Sequence, residues 1–409
     1  MTAKSPRIAP LGELVDLHTE QINPGAYPDT VYEHYSIPAY DAGPKAAIEL
    51  GADIKSNKFT LPKGAILLSK LNPRINRVWT PDTSGTRPAV TSTEFLVLKP
   101  RPGLDRRFIH YLLRSPAFRA ELSSRVTGTS GSHQRVRPLD ALAIPIAVPP
   151  LETQQAISNV LGCLDDKIEL NRRMSETLEQ IARELYKAWF IDFTAGPTAN
   201  QEVTGELPNC WTYGSLADVS ELSTESWNAR SAPDTVEYLD LSNIKWGRIL
   251  GSVNYEWNEA PSRARRILRS GDTVVGTVRP GNGSYALITH EGLTGSTGLA
   301  VLRPKAPITR ALTYLAATDS SNIERLAHLA DGAAYPAVRP SVVHESPVTV
   351  PDPDTLLAFS TTVDPVLDRI SACEAENETL AALRDTLLPK LISGELRVPE
   401  AEQLVSEAV

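Results

Sequence analysis

A chain of 409 residues has room for two or three domains, and its 41% hydrophobic content describes a globular protein able to bury a core. Three cysteines, Cys163, Cys210 and Cys373, exclude a disulfide framework and a cysteine zinc site. The formal net charge of -8 argues against nucleic acid as a partner of the whole chain, yet residues 1–150 carry 19 Lys+Arg against 13 Asp+Glu while residues 354–409 carry 4 against 11. The basic excess suits a polyanion at the first segment, and the acidic excess is that of solvated helix faces. The start MTAKSPRIAP has no apolar signal core, and no stretch of about 18 apolar residues follows, so a cytoplasmic protein without a membrane segment is expected.

The first globular segment, residues 1–150, holds strand-like runs at Ala65–Ser69, Phe95–Leu98 and Ala143–Val148. A helix is predicted over Arg106–Arg125, interrupted around Pro116. A glycine- and serine-rich loop, Thr127–Arg135, precedes the last strand. Pro149-Pro150 then opens a long helix, residues 151–193. Ile157, Leu161, Leu164, Ile168, Asn171, Ser175, Leu178, Ala182, Leu185 and Trp189 recur at alternating steps of four and three, the seam of a helix that lies along another helix. That seam spans about 48 Å at ~1.5 Å per residue.

A linker at residues 194–205 leads to a second globular segment, residues 206–352. It echoes the first: Lys63-Gly64-Ala65-Ile66-Leu67 matches Ser270-Gly271-Asp272-Thr273-Val274, and Val136-Arg137-Pro138 matches Val338-Arg339-Pro340. A second long helix, residues 353–395, repeats the seam with every number raised by 202, from Phe359 through Cys373 and Asn377 to Leu391. Pro389 is expected to kink or break it, Gly394 to stop it, and residues 396–409 to form a tail. Laid antiparallel with partner numbers summing to 548, Asn171 meets Asn377, Ser175 meets Cys373, Ile168 meets Leu380 and Leu161 meets Leu387. Leu164 against Arg384 is the one poor match. The polar pairs at mid-seam select this register at a cost in stability.

The text PPLETQQAISNVLGCLDDKIELNRRMSETLEQIARELYKAWFIDF resembles the central conserved region of type I restriction-modification specificity subunits. LRDTLLPKLISGELRVPEAE resembles their C-terminal conserved region, and YEHYSIPAYDAG, VTGTSGSHQRV and VEYLDLSNIKWGRI resemble phrases of their target recognition domains. The second helix departs from the pattern, starting VPDPDTLLAF without the Pro-Pro-Leu-x-x-Gln of the first. The resemblance implies an α+β chain of two similar target recognition domains separated by two long helices that pack as an antiparallel coiled coil, with an internal pseudo-two-fold. It implies a non-catalytic subunit that reads double-stranded DNA at a bipartite asymmetric site and docks two methyltransferase subunits, which restriction/translocase subunits then join. No cofactor is expected.

Side chains that reach DNA must donate to phosphates or base edges. Lys70, Asn72, Arg74, Arg77, Ser132, His133, Gln134 and Arg135 are the candidates in the first domain. In the second they are Arg279, Asn282, Ser284, Tyr335 and Arg339, with Arg263, Arg265 and Arg266 on phosphates. All are chosen by position, in Gly/Pro-rich loops or before the strand that feeds each long helix. Arg137 and Arg339, in the matched Val-Arg-Pro, fit a structural role equally well. No phosphate loop, no Asn/Asp-Pro-Pro-Tyr/Phe segment and no His-Glu-x-x-His is present. Pro28-Asp29 with Asp53-Ile54-Lys55 has the loose form of a nuclease metal motif, of a kind that chance produces often. A self-sufficient nuclease or methyltransferase, and a protein-interaction scaffold, are the alternatives.

Overall fold

The computed structural model describes residues 7–83, 85–127, 134–196, 207–208, 210–332 and 335–407. They divide into two compact units: Met1–Glu169 with Asn377–Val409, and Leu170–Glu376. Each is α+β, and each takes one end of both long helices.

The two units share one topology. In the first, an antiparallel sheet runs in the order Val15–His18, Phe95–Pro100, Ile66–Ser69, Val78–Trp79. In the second the order is Ser220–Leu222, Leu299–Pro304, Thr273–Gly276, Tyr285–Leu287. The central strands Ile66–Ser69 and Thr273–Gly276 are buried at every residue, as their apolar runs demand. A further sheet in each unit contains a parallel pair, Val31–Tyr35 with Ala89–Thr91 and Thr235–Leu239 with Leu293–Ser296. Its order is Gln21–Ile22, Lys58–Thr60, Ala89–Thr91, Val31–Tyr35, Ala47–Leu50 in the first unit. In the second it is Ala264–Ile267, Leu293–Ser296, Thr235–Leu239, Val253–Glu256, with the outermost strand reduced to the bridge Ser226–Arg266.

After the sheets comes a helix pair. Arg106–Arg114 and Pro116–Ser124 are broken at Ser115, whose backbone is extended and whose hydroxyl caps the second helix through the Phe118 amide. This is the interruption expected at Pro116. Arg310–Ala317 and Ser320–Leu329 repeat the pair. His110, on the first of these helices, meets the Thr80 hydroxyl at 2.8 Å. Burial, and then the Arg114 cation, pull its pKa down to about 3, so it folds neutral. The unfolded chain binds that proton from about pH 6.5 downward, so the first unit should lose up to about 1.4 kcal/mol per pH unit as pH falls toward the folded value. Denaturant titrations between pH 7 and 4 check this: His110→Asn should flatten the slope, and an unchanged slope would remove His110 as its cause.

The first long helix runs Leu151–Phe190 and the second Pro353–Ser393. In place of the missing Pro-Pro-Leu-x-x-Gln, Asp352 starts the second helix, accepting from the Thr355 amide and hydroxyl at 3.0 and 2.7 Å. Of the two effects expected of Pro389, a kink or a break, the break does not occur, since the helix runs on to Ser393. The proline removes one amide near the C-terminal end, while Leu387, Leu388 and Leu391 hold the last turns in the core. Gly394 stops it at φ +77. The segment expected as a tail contains a helix, Val398–Ser406, that buries Ala401 and Val405 in the first unit.

Within each unit the helices run antiparallel. Ile157, Leu161, Leu164 and Ile168 share a core with Leu380, Leu387 and Leu391 in the first unit. Ala182, Tyr186, Trp189 and Phe190 share one with Phe359, Val363 and Leu367 in the second, where Phe190 meets Phe359 edge-to-face at 4.7 Å. Arg384, the poor match to Leu164, turns its guanidinium to Asp165 at 2.7 Å. Asn171 is fully buried and donates its amide to the Glu376 carboxylate at 2.8 Å, one residue before the Asn377 expected opposite it. Ser175 and Cys373 are both buried.

One clamp is used twice. Arg107 donates to the Gly162 carbonyl at 2.9 Å and to the Asp166 carboxylate at 2.6 Å. Arg310 donates to the Asp364 carbonyl at 3.3 Å and to Asp368 at 2.6 Å. The two sets are offset by 202 or 203 residues. At Gly162 the guanidinium lies where a Cβ would stand, 2.5 Å from its carbon, whereas the second clamp closes over Asp364.

Candidate nucleic-acid interface

The two loops singled out in the first segment meet. After the strand Ile66–Ser69 the chain turns through Lys70–Asn76, and the segment Gln134–Val136 clasps it. The Val136 amide donates to the Lys70 carbonyl at 3.0 Å, Leu71 bridges Arg135, and the Asn72 amide donates to the Gln134 carbonyl at 2.8 Å. The second unit makes the same clasp. Val338 donates to Thr277 at 2.9 Å, Val278 bridges Ala337, and Arg279 donates to Pro336 at 2.7 Å.

The match extends to the backbone. Asn72 and Arg279 both stand at φ +48, the left-handed region that non-glycine residues rarely occupy. Each is followed by proline, and each carbonyl accepts at 2.9 Å from the amide three residues on, Ile75 and Asn282. Asparagine suits this conformation and arginine does not. The position thus keeps its geometry while its side chain changes.

The clasp presents its side chains unequally. Lys70 and Gln134 are half-buried, whereas Arg74 and Arg135 are exposed. Arg135 is forked onto Glu94 at 3.0 and 3.1 Å, a pair that water screens. Arg77 differs from the expectation of a DNA contact: it is only 9% exposed, and both carboxylate oxygens of Asp41 hold it, at 2.7 and 2.8 Å. It braces the loop from beneath. Ser132 and His133 lie outside the described residues.

In the second unit Arg279 and Asn282 are exposed, and Ser284 is half-buried with its carbonyl taking the Gly276 amide at 2.6 Å. The Arg279 guanidinium lies over the Tyr335 ring at 5.0 Å, and Tyr335 is 72% exposed. Arg279, Pro280 and Asn282 also face Ala327, Ala330 and Pro336 across an open groove. Arg339 caps the short helix Pro340–His344 with the same backbone angles that Arg137 has before Pro138–Leu142. Both side chains are exposed, so the shared role is that of the backbone.

The remaining arginines sit on the second sheet. Arg265 falls at a β-bulge in Ala264–Ile267 and stacks over Trp257 at 4.3 Å. Arg263 donates to Asp240 at 2.7 Å, and the coulombic pull of Asp240 raises its pKa. Arg266 is half-buried within the strand. Thr297 and Gly298 connect this strand to the clasp: Thr297 donates to the Arg263 carbonyl, and Gly298 accepts from Thr277, both at 2.8 Å.

Sequence reasoning missed one neighbour of the clasp. Trp246, 55% exposed, donates its amide to the Gly283 carbonyl at 2.6 Å. Its signal was present in the dipeptide Trp246-Gly247, which forms a two-residue turn.

A family model described as the type I restriction modification DNA specificity domain matches residues 9–180. The type I restriction enzyme MjaIX specificity subunit of Methanocaldococcus jannaschii is 25% identical over 83% of this chain and 79% of its own length. The HindI specificity subunit of Haemophilus influenzae is 24% identical over 83% of this chain and 88% of its own. A solved structure, the S subunit of a type I restriction-modification system from M. genitalium, shares the fold with a TM-score of 0.55, at 16% identity over 95% of this chain and 96% of that one.

Proposed function

We propose that this chain is a type I restriction-modification specificity subunit, a non-catalytic component that recognises DNA, and that it reads a split, asymmetric site with one half-site per unit. The observation that carries the proposal is the repeated clasp. One backbone holds Asn72, Gln134 and Arg135 in the first unit and Arg279, Pro336 and Ala337 in the second. Equal scaffolds with unequal donors are what two different half-sites require, because base edges are told apart by the donors and acceptors they meet.

In this reading Lys70, Asn72, Arg74, Gln134 and Arg135 face the first half-site. Arg279, Asn282, Ser284 and Tyr335 face the second, with Arg263, Arg265, Arg266 and Arg339 toward phosphates. Arg77 is left out, being committed to Asp41. The two long helices are proposed to set the gap between half-sites, as dimer geometry does in other readers, and to dock two methyltransferase subunits. Restriction/translocase subunits join through that complex. Asn171 and Ser175 with Cys373 and Asn377 are proposed to fix the register of the helices. The place of action is the cytoplasm, where the chromosome is accessible.

The test is binding of the assembled methyltransferase complex to duplex DNA across a salt series. Logarithmic affinity should fall linearly with logarithmic salt, with a slope set by the number of phosphates neutralised. A complex that is intact yet binds no duplex, or binds it without salt dependence, would contradict the reading.

A further inference from the structure

Between Ile244–Lys245 and Arg248–Ile249 the second unit makes a two-residue turn, Trp246-Gly247, with φ of +48 and +84. This is the type I′ hairpin geometry, for which Asn-Gly is the preferred pair. A tryptophan has no local reason to stand there, since left-handed backbone crowds its Cβ. Packing accounts for only one side of the ring, because the residue remains 55% exposed. A bulky residue kept in a strained conformation with half of its surface in solvent marks a position held for function.

The hairpin is built onto the clasp. Besides the Trp246–Gly283 hydrogen bond, the Gly247 amide donates to the Tyr285 carbonyl at 2.9 Å. The indole meets the Tyr285 ring edge-to-face, with centroids 6.0 Å apart. Gly283, itself at φ +70, has no side chain where the indole lies: a Cβ there would come within 2.4 Å of the ring. The loop Arg279–Gly283 therefore ends on a residue shaped to admit Trp246. On its other side Arg248 anchors the hairpin to Glu176 of the first long helix at 2.8 Å. Lys245, beside the tryptophan, is exposed.

We propose that Trp246 is a further specificity-determining residue of the second unit, its indole making an apolar base contact beside those of Arg279 and Asn282. The inference rests on each unit being a half-site reader. Duplex DNA is the occupant because the exposed aromatic surface continues the clasp, and with Arg248 set against Glu176, Lys245 and Arg279 leave a net cationic neighbourhood. Apolar contact with base edges or base steps is a recognised means of reading sequence, and it needs no hydrogen-bonding group.

The experiment uses the complex of this chain with its methyltransferase subunits, and duplexes in which each base pair of each half-site is replaced in turn. Trp246→Asn places in the turn the residue that geometry favours, so the variant should fold and melt no lower than the parent. It should lose about 5- to 100-fold of discrimination at one or two adjacent base pairs of the second half-site. Discrimination in the first half-site and the salt dependence should stay as they were, because tryptophan carries no charge. Trp246→Phe should recover part of the loss. Unchanged discrimination in Trp246→Asn at every position would overturn the inference, as would a loss spread over both half-sites or poorer incorporation of methyltransferase. A parent complex that discriminates no base pairs would instead remove the half-site reading itself, and this inference with it.

Discussion

Asp165→Ala should destabilise the first unit by about 2–4 kcal/mol, between the cost of an unsatisfied buried donor and that of a buried charge left without a partner. Asp165 accepts from the fully buried Tyr111 hydroxyl and from Arg384, each at 2.7 Å, and Arg114 lies 3.6 Å away. The Arg384 side chain is only 13% exposed. The substitution would leave that guanidinium, on a helix seam, with only the exposed Asp385 carboxylate at 2.9 Å, and would orphan the tyrosine. Burial alone would raise the Asp165 pKa, but the hydrogen bonds from Arg384 and Tyr111 outweigh it and hold the carboxyl below its usual range. A depressed folded pKa means that the stabilisation is present at neutral pH and disappears as pH falls below about 4. Urea titration with hydrogen exchange over Leu380–Leu391 reads the effect. Loss of protection confined to the first unit is expected, with Asp165→Asn intermediate. A change under about 1 kcal/mol would reduce the cluster to an ordinary surface pair.

Arg279→Asn should cost about 1–3 kcal/mol of discrimination at one base pair, expected to be G·C, in the half-site read by the second unit. The substitution puts in the second clasp the residue that the first already carries at φ +48, so the backbone has no reason to move. What is lost is a guanidinium fork stacked over Tyr335. Arginine forks onto the two acceptors of guanine, while asparagine pairs with adenine, so the preference at that position should weaken or turn toward A·T. Gln134→Ala is the mirror experiment for the first half-site. Base-substituted duplexes separate the two: a loss shared equally by both half-sites would refute independent readers.

Much of the architecture was legible because it is periodic. The seam from Ile157 to Trp189 and its copy 202 residues later need only local spacing to be read, and their cores lie where that spacing puts them. The break before Pro116 and the stop at Gly394 are likewise local backbone effects. What was not legible depends on partners distant in sequence. Nothing around Arg77 announces Asp41, 36 residues earlier, and nothing around Arg135 announces Glu94. The helix continues past Pro389 because the anchoring of neighbouring leucines outweighs one missing amide. The equivalence of Asn72-Pro73 with Arg279-Pro280 was present in the text at an offset of 207, but differing side chains concealed it until both residues shared φ +48. Trp246 escaped notice because a turn that favours asparagine holds tryptophan.

Methylome sequencing of a host carrying this chain, its Arg279→Asn variant, or neither tests the central claim most directly. The account predicts a split methylation motif that appears only with the chain. In the variant, one half of that motif should become degenerate at a single pair while the other half and the gap persist. A motif indifferent to the chain, or a variant that degrades both halves together, would contradict it.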